Sequence, residues 1–419
     1  MGFFLSGDEK YLLKKELVPA LGCTEPIAIA LASAKAREVL GVMPSRVLIQ
    51  VSGNIIKNVK SVVVPNTRGL KGVEAACITG ILGGCSDLEL EVLQNITDKD
   101  IELTKKLLSE NFCKVSHLQS VAQLHIIVSV FSGEESAVVE LKNGHANIVK
   151  IIKNEKVIFE KNEQNVVDND IDLTVKDLFE YANTVELSKI YDIIKRQIEY
   201  NSAICQEGLN HEYGSNVGKT LLDVYGNDVK VRARALAAAG SDARMSGCSL
   251  PVIINSGSGN QGITVSIPVI EFAKELNVSE EKLIRALVLS NLVAIYLKCG
   301  IGKLSAYCGV VSASCGAGAG ITYLFGGDFD KISQTITNTV ANVSGIVCDG
   351  AKASCAAKIA SSVDAAILGH FMTMSNNSLE AGDGIVKDSL EKTIEGINRL
   401  GKDGMRETDN EILNIMLGD

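Results

Sequence analysis

Three cysteines in the last third of the chain, Cys308, Cys348 and Cys355, lie in small-residue backbone, and no obvious fourth ligand completes them. Three thiolates can hold a 4Fe-4S cluster by three of its irons and leave the fourth iron free as a Lewis acid, a catalytic rather than an electron-transfer arrangement. Spacing alone says little, so the neighbours matter. Cys308 precedes Gly309, Cys348 sits in Gly345-Ile-Val-Cys348-Asp-Gly350, and Cys355 follows in Ala351-Lys-Ala-Ser-Cys355. A cubane needs room and backbone N–H donors to its sulfurs, and glycine-flanked turns supply both. A zinc site would call for short Cys-x-x-Cys pairs, which the chain lacks, and His370 is the only histidine downstream of these cysteines. Cys315 is the one rival ligand.

A second stretch has the composition of an anion cradle. In Asn255-Ser-Gly-Ser-Gly-Asn-Gln-Gly262 three glycines expose backbone N–H groups, while Ser256, Ser258, Asn260 and Gln261 add side-chain donors. Asp242 and Arg244, in Ser241-Asp-Ala-Arg-Met245, read as an internal ion pair that orders its own loop.

The elements that position these residues read as follows. Residues 9 to 40 are amphipathic helix broken around Gly22 to Pro26, and Arg46 to Val64 alternates at period two across Gly53-Asn54, which predicts a β-hairpin ending at Pro65. A charged helix over Asp98 to Asn111 precedes three strand-like runs, His125 to Phe131, Ser136 to Leu141 and Ile148 to Ile152. Lys161 to Asp172 is polar, a connection; Thr174 with Asp177 then opens a helix, and helical patterning dominates to the end. Ser279 starts a helix expected to reach about Leu297, ended by Gly300 and Gly302, and the charged segment from Ser378 onward reads as solvated helical surface. The fold class is therefore α+β: a mostly helical catalytic body (173–419), a small α+β module with its linker (86–172), and an N-terminal helix and β-hairpin segment (1–85) packed on the body.

Composition narrows the function. The chain has 419 residues and a net charge of −9, which argues against nucleic acid or an anionic membrane as partner and leaves small molecules. The longest apolar run before the first charge at Asp8 is only three residues, so no secretory signal is read and a cytoplasmic setting is expected, in which eleven cysteines stay thiols. Leu304 to Gly327 carries no charge and is long enough to span a bilayer, but its Gly, Ala and Ser content makes a poor membrane span.

Over nearly its whole length the chain resembles the L-cysteine desulfidases, relatives of the iron-sulfur L-serine dehydratase alpha chain. The resemblance rests on Leu21-Gly-Cys-Thr-Glu-Pro26, Asn66-Thr-Arg-Gly69, Ser241-Asp-Ala-Arg-Met245, Asn255 to Gly262 and the blocks around Cys308, Cys348 and Cys355. It implies a 4Fe-4S cluster on those three cysteines. It also implies a β-elimination in which L-cysteine gives sulfide and aminoacrylate, and the latter gives pyruvate and ammonia. The Cα proton then needs a base, for which Cys23, beside a helix start, is the candidate, with Lys303 or a histidine behind it. The substrate carboxylate is assigned to Asn255, Ser256, Ser258, Asn260 and Gln261, with Arg68 as a fork to the same group. Cys23 and the Asn255 loop must then converge on Cys308 in the fold.

Other readings stay open. L-serine fits the same site, although the softer thiolate of cysteine suits iron better. A pyridoxal-phosphate lyase would use the Gly-Ser loop for phosphate and a lysine for the Schiff base, leaving the cysteines idle. A ligand-binding or assembly protein that lost the cluster is opposed by the presence of all three ligand positions. A homodimer is the expected assembly.

Overall fold

A computed structural model describes residues 8–120, 122–161, 173–302 and 304–418. In chain order the first elements are α1 (Asp8–Glu16), β1 (Pro19–Leu21), α2 (Thr24–Leu40), β2 (Arg46–Val51), α3 (Gly53–Val59), α4 (Val73–Gly83) and α5 (Asp98–Ser109). Five strands follow: β3 (Cys113–His117), β4 (His125–Ser132), β5 (Glu135–Lys142), β6 (Ile148–Lys153) and β7 (Lys156–Glu160). The helical part comprises α6 (Val175–Thr184), α7 (Tyr191–Asn210), α8 (Val217–Tyr225) and α9 (Val229–Met245), a short β8 (Pro251–Ile253), then α10 (Gly259–Glu275), α11 (Glu280–Ile301) and α12 (Gly309–Leu324). It closes with α13 (Phe329–Val343), α14 (Cys355–Met374), α15 (Leu390–Arg399) and α16 (Arg406–Leu417). The architecture is α+β and mostly helical.

The six-stranded sheet runs in the order β3-β2-β4-β5-β6-β7. β2 pairs parallel with β3 (Val47 opposite Cys113) and antiparallel with β4 (Arg46 opposite Phe131), so the sheet draws strands from both sides of residue 86. The expected hairpin is therefore corrected: β2 is a strand, but its continuation is α3. Ile55 and Val59 are the buried apolar positions of α3, four residues apart as a helix requires, so Gly53-Asn54 opens a helix instead of turning a hairpin. α2 packs between this sheet and α4, buried along nearly its whole length, so its N-terminus at Cys23 is held between sheet and helical body.

α12 lies at the centre of the helical body, against α10, α11, α13 and α14. Its glycines serve helix packing: a Cβ at Gly316 would stand 2.3 Å from the Ser290 carbonyl oxygen of α11. α11 runs on to Ile301, past the expected end, because Gly300 stays helical and Gly302 (φ +95°) makes the stop. By length and composition α11 could span a bilayer, yet 78% of its most apolar stretch is buried inside the fold. Thr174 caps α6 in a capping box with Asp177, while residues 162–172 of the expected connection lie outside the described residues. The C-terminal segment is more than solvated surface: Lys57 of α3, buried at 2% exposure, forms an ion pair with Asp409 of α16.

Candidate active site

Cys23, Ser256, Ser258, Asn260, Gln261, Cys308, Cys348 and Cys355 all line one cavity. Two short pairings bring the segments together. β1, just before Cys23, pairs antiparallel with β8, just before the Asn255 loop, and Thr24 Oγ1 donates to the Gly257 carbonyl at 3.0 Å. Cys308 and Cys348 are aligned by an antiparallel bridge, with Cys308 N–H donating to Ile346 O at 3.1 Å and Cys348 N–H to Ala306 O at 2.6 Å.

Four helix starts point at this cavity. Cys23, Ser258 and Cys308 are the N-caps of α2, α10 and α12, and Cys355 is the first residue of α14. None of the three N-cap side chains caps its own helix by a hydrogen bond. The unpaired N–H groups and positive dipole ends therefore favour thiolates and anionic ligands there.

The cysteines are not equivalent. A hydrogen bond from Cys308 holds the Cys348 thiol well below its ordinary range, against the effect of burial, with help from the Lys57 and Lys298 ammonium groups and the Gly350 N–H. The same bond, together with burial, pushes Cys308 up. Burial raises Cys355 to about 11. Lys298 is itself depressed by burial, while Cys348 and Cys308 favour its charged form.

Cys23 differs from expectation. Its Sγ donates to Glu25 Oε2 at 2.9 Å, and burial followed by the Glu25 charge pushes the thiol up, although Arg244 opposes this. The helix start alone does not ionise it. Glu25 accepts further bonds from Thr24 Oγ1 (3.2 Å) and Asn58 Nδ2 (2.9 Å), and His145 Nε2 stands 3.7 Å away, beyond hydrogen-bond length. Burial raises this carboxyl, but His145 and Cys23 outweigh it and bring Glu25 to about 2.

Some expected residues lie elsewhere. Arg68 has left-handed backbone (φ +56°) in an exposed turn, pairs with Asp98 at the acidic start of α5 at 2.5 Å, and is not among the residues lining the cavity. Asn255 is buried behind the loop, its Nδ2 donating to Asn291 Oδ1 at 3.0 Å, and it accepts from Ser256 Oγ at 2.9 Å, a positioning contact. Lys303 lies outside the described residues. The Asp242–Arg244 pair does not form: Asp242 accepts from Ser215 and Val217 N–H at the start of α8 (3.2 and 2.8 Å), and Arg244 lines the cavity. Cys315 is buried within α12 and is not among the lining residues.

Glu25, Lys57, Asn58, His145, Arg244 and Lys298 also line the cavity, and the sequence reading gave none of them a role there. Two had signals. Glu25 stands two residues after Cys23 in the same motif, and Lys298 is the only charged residue between Arg285 and Lys303 in an apolar helix.

The cavity suits a cluster held by three thiolates. Among the described residues no three His, Cys, Asp or Glu side chains gather as for a single metal ion. Cys308, Cys348 and Cys355 line the same cavity, as three ligands to one cluster must. Lys57 and Lys298 would balance the negative charge of such a buried group.

A family model described as serine dehydratase alpha chain matches residues 87–414. A UPF0597 protein of Lachnoclostridium phytofermentans is 59% identical over 409 residues, covering 97% of this chain and 98% of its own length. A UPF0597 protein of Desulfitobacterium hafniense is 54% identical over 411 residues, covering 97% and 95%. One from Fusobacterium nucleatum is 44% identical over 416 residues, covering 97% of each chain.

Proposed function

Because the chain belongs to the serine dehydratase alpha-chain family, we propose that it is a lyase that eliminates the β substituent of a small amino acid. The proposed substrate is L-cysteine, which yields sulfide and aminoacrylate, then pyruvate and ammonia. The observation that supports this reading best is the meeting of Cys308, Cys348 and Cys355 with Cys23 and the Ser256–Gln261 loop around one cavity. Cys308, Cys348 and Cys355 would hold a 4Fe-4S cluster, which supplies an open iron as Lewis acid for the substrate's soft thiolate without redox change.

The chain's own residues do the rest. The loop at the start of α10 takes the carboxylate and aims Cα at Cys23. Cys23 is the acid–base residue: burial and the Glu25 charge make its thiolate strongly basic, so that once the thiol has given its proton to water Sγ can accept the Cα proton, with the Glu25 carboxylate orienting the thiol and not receiving its proton. Asn58 and Thr24 fix Glu25 for this task. Lys57 and Lys298 favour the Cys348 thiolate.

The family's description favours L-serine as a second substrate. Anaerobic, iron-loaded protein should release sulfide and pyruvate from L-cysteine faster than pyruvate from L-serine. Faster turnover of serine reassigns the substrate, and turnover of neither overturns the reading.

A further inference from the structure

The loop Ser256-Gly-Ser-Gly259 runs between two side chains from distant elements. A Cβ at Gly259 would stand 2.3 Å from Arg244 Nε, and one at Gly257 would stand 3.1 Å from His145 Cε1. A guanidinium from the end of α9 thus presses on one glycine and an imidazole from the β5–β6 turn on the other. Both side chains are buried, at 2% and 7% exposure, and both line the cavity. Arg244 Nε has no hydrogen-bond partner, and His145 Nε2 has only the Glu25 carboxylate 3.7 Å away, too far for a hydrogen bond. Leaving such groups unpaired is costly, so their presence in a cavity wall points to a ligand that satisfies them.

The surroundings say which ligand. The first bond within α10 is Gly262 N–H to Ser258 O at 3.0 Å, so the N–H groups of Gly259, Asn260 and Gln261 have no partner inside the helix. These donors and Arg244 suit an anion. Asn260 Oδ1 and Gln261 Oε1, at 5% exposure each, are unpartnered acceptors on the same cavity and suit a cation. Together they match the two charges of a free α-amino acid.

We propose that Arg244 and His145 clamp the α-carboxylate of a free amino acid against the start of α10, while Asn260 and Gln261 take its ammonium group. This rests on the lyase reading and makes it specific. Amides and simple amines are excluded because they lack the carboxylate, and peptides because their ammonium and carboxylate sit on different residues. His145 also gives the six-stranded sheet a part in the site, since it enters from the turn between β5 and β6.

Binding, not turnover, tests this. L-Alanine has both charges and no β leaving group, so its affinity for anaerobic, iron-loaded protein can be measured by calorimetry against L-alaninamide. Wild type should bind L-alanine at least about tenfold more tightly than the amide, and Arg244→Gln should lose at least about tenfold in L-alanine affinity. His145→Gln should lose several-fold. If Arg244→Gln does not fold, judged by circular dichroism, His145→Gln and the amide comparison decide. Equal binding of acid and amide, or unchanged affinity in every folded variant, overturns the clamp. Wild type that shows the binding pattern but releases no sulfide or pyruvate sinks the lyase reading and leaves the clamp. Turnover by variants with an unchanged KM for L-cysteine sinks the clamp and leaves the lyase.

Discussion

The thiol of Cys23 donates to the carboxylate of Glu25 at 2.9 Å across the first turn of α2. One helix start therefore carries both a thiol proton and the carboxylate that orients it. Glu25 stays ionised, at about 2, and Cys23 stays protonated. The carboxylate orients the thiol and keeps it from ionising alone, so any thiolate formed at Cys23 is a strong base.

Glu25→Gln should keep the cluster, because Glu25 is no ligand, but lower kcat by about 10²-fold or more, the usual scale for losing acid–base assistance. Steady-state rates alongside iron content check this. An unchanged kcat at full iron content would remove Glu25 from the mechanism.

Lys57 and Asp409 join α3 to the C-terminal helix, with side chains 2% and 17% exposed. Asp409→Asn leaves a buried ammonium without its counter-charge and should cost about 3 kcal/mol, the low end for a broken buried pair because Asp409 keeps some solvent. Urea unfolding measures it, and a loss under about 0.5 kcal/mol, the scale of an ordinary surface change, would contradict the pairing's role.

His370 is buried, with Nδ1 against Thr322 Oγ1 at 2.9 Å and its ring between Phe325 and Phe371, and burial lowers it to about 4 from 6.5. The unfolded chain binds this proton first as pH falls, so stability should drop by up to about 3 kcal/mol between pH 6.5 and 4 through this residue alone. His370→Gln should show a shallower fall over that window in urea titrations at each pH. Parallel curves would refute it.

What was legible in the sequence depended on local chemistry. Thr174 and Asp177 form a capping box within four residues, and strands β4 to β6 carry their own alternation, so both could be read directly. β3 and β7 could not. β3 is mostly polar and exists through a parallel pairing with a strand over sixty residues earlier, and β7 is exposed along its length. Period two misled over Arg46 to Val64 because Ile55 and Val59, four apart, also satisfy a helix. Arg68 and Arg244 both lie in distinctive motifs; tertiary packing alone decides that the first faces Asp98 and the second the cavity. Lys57 and Asp409 are 352 residues apart, and no local pattern links them.

The most direct measurement is iron and acid-labile sulfide per chain in protein purified anaerobically, for wild type, Cys348→Ser and Cys315→Ser. About four irons and four sulfides are expected in wild type and in Cys315→Ser, and loss of most of both in Cys348→Ser. Iron-free wild-type protein after anaerobic reconstitution, or full loading of Cys348→Ser, would contradict the assignment of the three cysteines.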